Sequence, residues 1–368
     1  MAKRVTSSAA PAMLRRAPAS RTKRVEAILG RDWKVALPFV LPLVVLMAGL
    51  ILWPFINAIL ISFTTRSIAR TEQWVGFANY IRLFRDADYR NAVSNTVLFT
   101  VASVSIKLVV GMMIALLLNS RLPFRNVLTG IMLLPWIVPE VVTALAWKSI
   151  YDPLFGGLNP ILQALGLINR RVAWLAEPQL AMPSVIAVNV WKGIPFYTIL
   201  LLAGLKAIDK ELYEAAEVDG ASAVERFRNI TLPGLKYVLA VTVLLSTIST
   251  FNTFGLVYLM TNGGPGGTTR LYSILAYERA IYSLRFGPGA AVALSMAPVL
   301  AIFILLLARF MRQDLSAREN ETRVDRAFGW VGKAIGTLLD WIFLPFSLLA
   351  EGISRITAMF TGGMKRSD

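Results

Sequence analysis

The chain has 368 residues, of which 56% are hydrophobic and 16% charged, with a formal net charge of +16 and neither cysteine nor histidine. That much apolar sequence exceeds what a soluble domain of this length carries, so a lipid bilayer is the expected solvent. Without cysteine there is no disulfide framework or thiolate chemistry. Without histidine the commonest metal ligand and general base is missing, so neither a metal site nor a cofactor is expected.

Residues 1–34 are rich in Ala, Ser and Arg, with Glu26 and Asp32 as their acids. They have no apolar periodicity to pack a core and read as a disordered basic arm near anionic headgroups; the Arg-rich, acid-poor pattern also has the look of an organelle transit peptide. Apolar runs close to the roughly 20 residues that a spanning helix needs follow at 35–63, 94–118, 127–150, 180–205, 237–261 and 289–311. The expectation is an all-α membrane protein of about six transmembrane helices, a six-span domain over 35–312. The first run is too long for the roughly 7–15-residue core of a cleavable signal peptide and is expected to be retained. In the extension 313–368, the stretch 328–350 is long enough to span. Lys333 and Asp340 lie on one helical face, however, which fits a helix lying in the interface better than a seventh span.

With the N-terminus in the cytoplasm, the loops and tails on that side hold 21 Lys and Arg up to residue 326, against 10 on the other. This is the positive-inside bias, and it accounts for the net charge without a nucleic-acid partner. The loop 206–236 then faces the cytoplasm, as a polar island between two apolar runs. Asp209 is placed to cap a helix beginning at Lys210, and Gly220 to end it in the left-handed conformation. Ser222 and Glu225 form an S-x-x-E capping box for a second short helix, expected to run to about Ile230 and to be stopped by Pro233. Five basic and six acidic residues crowd this helix–glycine–helix elbow. Short amphipathic helices tied to two spans suit docking on a soluble partner, the plainer alternative being a solvated hairpin that only joins spans.

Glu214-Ala215-Ala216, Gly220 separated by nine residues from Ile230, and Leu232-Pro233 resemble the "EAA" loop of permease subunits in binding-protein-dependent ATP-binding-cassette importers. The segments VGFANY (Val75–Tyr80), Asn95-Thr96, LPWIVPEVVTALAWKSIY (Leu134–Tyr151), GGLNPIL (Gly156–Leu162), NVWKGIPF (Asn189–Phe196) and TNGGPGGTT (Thr261–Thr269) are similar to the carbohydrate, maltose-type branch. The resemblance runs from the first span to about Arg312. It implies that the elbow is a coupling helix seated in a cleft of an ATPase subunit, with Glu214, Ala215, Ala216, Asp219, Gly220, Ile230, Leu232 and Pro233 as its residues. It also implies a second permease subunit, two ATP-hydrolysing subunits and an extracytoplasmic sugar-binding protein as partners. The chain itself has no G-x4-GK[ST] phosphate loop and is not expected to be an enzyme. A secondary transporter or channel working without an ATPase is the alternative function, and it would have no use for the elbow.

Sugars are recognised by aromatic faces and by hydrogen bonds from hydroxyl and amide groups. The fourth run offers Asn189, Trp191, Gly193, Phe196 and Tyr197; the fifth offers Ser246, Ser249, Thr250, Asn252 and Thr253. The resemblance places the positions of Gly193, Phe196, Ser246, Ser249, Thr250 and Gly255 at the substrate, with interhelical packing the alternative role for each. Three charges fall inside the runs, Lys107, Glu140 and Lys192. At the membrane centre each costs about 2.5–3.5 kcal/mol on insertion scales, and so should be paired or face water. Lys192 is a candidate ligand for an anionic sugar or a polyol and equally a structural cation. Prolines 135, 139, 183, 195 and 298 are expected to break or kink spans three, four and six.

Overall fold

The computed structural model describes residues 33–68, 71–120 and 122–313. The expectations for the basic arm, apart from its last two residues, and for the stretch 328–350 therefore lie outside the described residues. The chain divides into two units at Leu60–Ile61.

The first unit is helical: α1 (Trp33–Met47), a π-helical turn (Ala48–Leu52) and the greater part of α2 (Trp53–Ser62). Together they make an apolar segment, Leu37–Ser62, long enough to cross a membrane. Its large side chains are exposed all round, Phe39, Leu50 and Trp53 among them. In water this would be untenable; for a helix facing lipid it is the favourable arrangement.

In the second unit an isolated bridge between Thr64 and Trp74 precedes α3 (Ala78–Arg85). Asn79 is buried there and donates to the carbonyls of Ser62 and Thr64, each at 2.8 Å, so the VGFANY segment is a clasp on the end of α2. The long α4 (Ala87–Asn119) starts at Asp86, whose carboxylate accepts the Asp88 N–H at 2.8 Å. Burial tends to raise the Asp86 carboxyl, but the Arg279 guanidinium and the Asp88 and Tyr89 amides hold it below the usual carboxylate range.

The buried face of α4 recurs at Ala92, Thr96, Phe99, Ser103, Lys107, Gly111, Ala115 and Leu118, the stripe of a helix packed on one side. Its outer face, with Val97, Leu98 and Val101, is exposed, as lipid contact requires. The third apolar run is not one span. It forms α5 (Arg125–Ile137) and α6 (Glu140–Ile150), bent by 94° at Val138-Pro139. Proline removes a backbone donor and drives the residue before it to extended geometry, and Val138 is extended. The short α7 (Leu158–Ala164) follows, where buried Asn159 accepts the Trp174 indole N–H at 3.0 Å.

The fourth run is α8 (Pro178–Lys206), unbroken despite Pro183 and Pro195. The break expected there is corrected: packing along α4 holds the helix through both prolines. α4 and α8 are pressed together at glycines, since a Cβ on Gly111 would lie 2.5 Å from the Tyr197 Cβ. Such small-residue contacts replace the hydrophobic drive that lipid does not supply.

The elbow comprises α9 (Lys210–Val218) and α10 (Ala223–Arg226), followed by a π-helical turn (Phe227–Thr231) and α11 (Leu232–Phe251). Pro233 does not stop the second helix, contrary to expectation; the helical run is continuous over Ala223–Phe251. The π turn, closed by Leu232 N–H on the Phe227 carbonyl, admits the proline at the start of α11, where a missing donor costs least. The fifth run is then interrupted before α12 (Gly255–Thr261), at Asn252 to Phe254. α13 (Tyr272–Tyr277), a π-helical turn (Glu278–Tyr282), α14 (Phe286–Ser295) and α15 (Ala297–Gln313) complete the described chain. The last pair supplies a membrane-length segment, Phe286–Arg309. By length and composition there are five membrane-length helices among the described residues, or six counting the bent pair as one span.

Candidate functional site: a polar cavity between broken helices

A cavity of about 610 Å³ opens where the two interrupted spans meet α4 and α8. Its volume is that of a small-molecule site. Non-helical backbone at membrane depth is tolerated where it is buried in protein or faces a cavity, and both breaks border this one.

The carbonyl freed at the first break, Val138 O, accepts from the Lys192 ammonium. The amide freed at the second, Leu256 N–H at the start of α12, donates to the Glu140 carboxylate at 2.6 Å. Two of the charges that were costly in the sequence therefore satisfy broken backbone on other elements. The third, Lys107, is 4% exposed and donates to Thr250 Oγ1 at 3.0 Å. It is accommodated because Gly193 has no side chain: a Cβ there would lie 2.6 Å from Lys107 Cε. All three charges, with Gly193, line the cavity.

Of the expected pathway residues, Asn189, Lys192, Gly193, Phe196, Ser246, Ser249, Thr250, Asn252 and Gly255 are brought together on its wall. Thr253 joins them. Asn189 Oδ1 is a buried acceptor with no protein partner. Asn252 has less to offer a ligand, because it donates to the Ile248 carbonyl at 2.8 Å and accepts from the Tyr272 hydroxyl at 2.6 Å. Two expected residues lie elsewhere. Tyr197 is fully buried among Leu108, Met112 and Leu201, on the face of α8 that meets Gly111. Trp191 projects to the side, its ring edge-on to Trp147 at 5.5 Å. Gly193 and Phe196 share a helical face with Asn189, and the 3.6-residue period puts Trp191 on the other side; Tyr197, four residues after Gly193, stands at the edge of that face and is taken up by the contact with α4.

Trp136 and Phe254 also line the cavity and had no place among the expected residues. Both are aromatics flanking a break, one just before Val138-Pro139 and one just before α12. Aromatic residues adjoining an interruption in an apolar run are the signal that would have found them.

The elbow is a second candidate site. Gly220 has φ +75°, a conformation that disfavours any Cβ, and carries the chain from α9 to α10. Around it, Asp219 N–H donates to the Ala215 carbonyl at 3.0 Å and Ala221 N–H to the Ala216 carbonyl at 2.9 Å, the closing bonds of a glycine-terminated helix. Asp209 occupies the position before α9, but its side chain makes no capping bond, which corrects the expected cap. The Ser222–Glu225 capping box is complete. An Arg226–Glu217 ion pair and a 2.8 Å bond between Tyr213 and Thr231 hydroxyls tie the two arms together. Glu214, Ala215, Asp219, Gly220 and Pro233 are exposed, while Ala216, Ile230 and Leu232 are half-buried. Leu212 and Val218 are exposed on the same short helix, Val218 at 89%.

Among the described residues no group of acids could hold a metal ion.

A bundle of broken membrane helices around a polar cavity, with an exposed two-helix elbow, defines a membrane transport component. Residues 107–318 match the family of binding-protein-dependent transport system inner membrane components, and the chain belongs to that family. It is 40% identical over 287 residues to the trehalose/maltose transport system permease protein MalF of Thermococcus litoralis, covering 77% of this chain and 96% of the relative. It is 32% identical over 267 residues to the sulfoquinovosyl glycerol transport system permease protein SmoG of Agrobacterium fabrum, covering 72% and 86%. Among solved structures it is similar to a chain of a bacterial ABC transporter that imports the acidic polysaccharide alginate, with TM-score 0.68 and 25% identity over 79% of this chain and 99% of that one.

Proposed function

We propose that this chain forms one half of the translocation pathway of an ATP-binding-cassette sugar importer, with the cavity between its broken helices as the passage for the sugar. The cavity carries this reading. Its wall combines aromatic rings, hydroxyls, an unpartnered amide oxygen and a buried ammonium, the mixture that sugar recognition calls for. The relatives named for trehalose, maltose and sulfoquinovosyl glycerol, and the alginate importer, support the substrate class.

In this reading a second permease subunit completes the passage and an extracytoplasmic binding protein delivers the sugar. Of two ATP-hydrolysing subunits, one grips the elbow at Glu214 to Gly220 from the cytoplasm. Lys192 is a structural cation, since its ammonium is committed to the Val138 carbonyl beside Glu140.

The test is reconstitution. Vesicles holding this chain, its sister permease and the ATPase should take up sugar only with ATP and the loaded binding protein; uptake by this chain alone would return the alternative of an independent transporter or channel. Orientation is checked with single cysteines in this cysteine-free chain. One at Asn262 should react with an impermeant thiol reagent from outside, and one at Ser222 should not.

A further inference from the structure

From one aromatic residue of the cavity wall a cluster of rings continues outward, and its further members take no part in the passage described above. Phe254, on the cavity wall, stacks on Tyr258 with ring centroids 4.9 Å apart and planes inclined by 18°. Tyr277 packs against both, at 5.1 Å from Phe254 and 5.3 Å from Tyr258. Tyr282 closes the cluster edge-on to Tyr277 at 5.6 Å, and its hydroxyl meets that of Tyr258 at 2.8 Å. Tyr282 is 64% exposed, so the rings lead from the cavity wall to an open surface. They lead toward the loops opposite the elbow, since Leu284, two residues on, accepts from Ile68 N–H.

The π-helical turn is what assembles this row. In an α-helix residues five apart point about 140° away from each other. Tyr277 and Tyr282 are five apart, and the intervening turn closes on a Ser283 N–H to Glu278 carbonyl bond of 2.9 Å, the i→i+5 pattern. That wider turn brings the two side chains onto one face, and such insertions occur frequently at functional sites. Phe254, Tyr258 and Tyr277 are part-exposed and Tyr282 is exposed, while the Tyr258 and Tyr282 hydroxyls are bonded to each other, so what the row offers a ligand is ring surface of the kind that packs on the apolar face of a pyranose.

We infer that Phe254, Tyr258, Tyr277 and Tyr282 form an outer sugar subsite, which receives the pyranose before it enters the cavity. The inference rests on the sugar-importer reading, and the experiment separates the two. The probe is whichever of trehalose, maltose or an alginate oligosaccharide thermally stabilises the cognate binding protein. Uptake of that labelled sugar, ATP hydrolysis and co-purification with the sister permease are measured for wild type, Tyr258→Leu, Tyr277→Leu, Tyr282→Ala and the conservative Tyr258→Phe and Tyr282→Phe. Expected is a roughly threefold to tenfold fall in sugar moved per ATP hydrolysed in the Leu and Ala variants, the range that loss of a ring contact corresponds to. Assembly should be unchanged and the Phe variants should stay near wild type. Wild-type uptake with no effect of any variant overturns the subsite and leaves the importer. Loss of co-purification in the Leu and Ala variants also overturns it, by showing a face for the sister subunit. A wild-type complex that moves none of the sugars sinks the importer reading itself.

Discussion

The cavity and the elbow handle charge in opposite ways. In the cavity Glu140 and Lys192 are turned on broken backbone of neighbouring elements, and Lys107 on Thr250. In the elbow Glu214 and Asp219 stand exposed beside the bared Leu212 and Val218. The difference follows from solvent. At membrane depth an unsatisfied charge or amide has no water to turn to, so charges are engaged inside the fold. At the membrane surface water solvates them, so charges can stand exposed.

Perturbing each region should therefore give a different failure. The largest effect is expected at the elbow: Gly220→Val and Glu214→Ala should leave the subunit inserted and paired, yet reduce ATPase recruitment at least about tenfold, because a positive φ excludes a branched side chain and a charged interface partner is lost. ATP hydrolysis and uptake should fall together. Normal recruitment in both variants would reduce the elbow to a connector.

Next is the cavity cap. Glu140→Ala strands the Leu256 amide, and leaving such a donor unsatisfied costs about 1–3 kcal/mol. The expected failure is in the permease itself, a lowered thermal midpoint in detergent with the ATPase interface intact, and Glu140→Gln should recover part of it. Equal stability of Glu140→Ala and wild type would show that the cap contributes nothing.

A finer test is the fit of Lys107 over Gly193. Gly193→Ala should displace the Lys107 side chain and lower uptake by a few fold, on the order of 1 kcal/mol for overpacking at a contact. Lys107→Ala in the same chain should relieve the collision, so the two changes should combine non-additively. Simple additivity would mean that the contact is loose. The smallest effect is expected for Trp191→Ala, whose ring lies off the cavity against Trp147. Uptake should stay within about twofold of wild type, as for surface substitutions away from a site, and a larger loss with assembly intact would return Trp191 to the passage.

Much of the elbow is legible in the amino-acid sequence, because its determinants are local. The Ser222–Glu225 box and the Gly220 turn depend on residues three to five apart, and both occur where the sequence places them. The departures there are also local: Asp209 leaves its capping bond unmade, and the π turn carries the helix past Pro233. Along α8 the same rules of composition and spacing separate a suitable set from a correct face only in part. Asn189, Gly193 and Phe196 reach the cavity, while Trp191 and Tyr197, equally suited by composition, turn to a neighbouring ring and to the apolar core.

The sequence by itself determined that this is a membrane protein, how many apolar runs it has, and where a polar elbow interrupts them, since hydropathy and capping act over a few residues. Tertiary structure alone decided that the third run bends by 94°, that Pro183 and Pro195 break nothing, and which side of α8 faces the cavity. It also decided the partners of the intramembrane charges. Glu140 meets Leu256 across 116 positions and Lys107 meets Thr250 across 143. No periodicity in a single chain encodes such pairings, because they are chosen when helices pack and each buried polar group must find whatever partner the fold has carried to it.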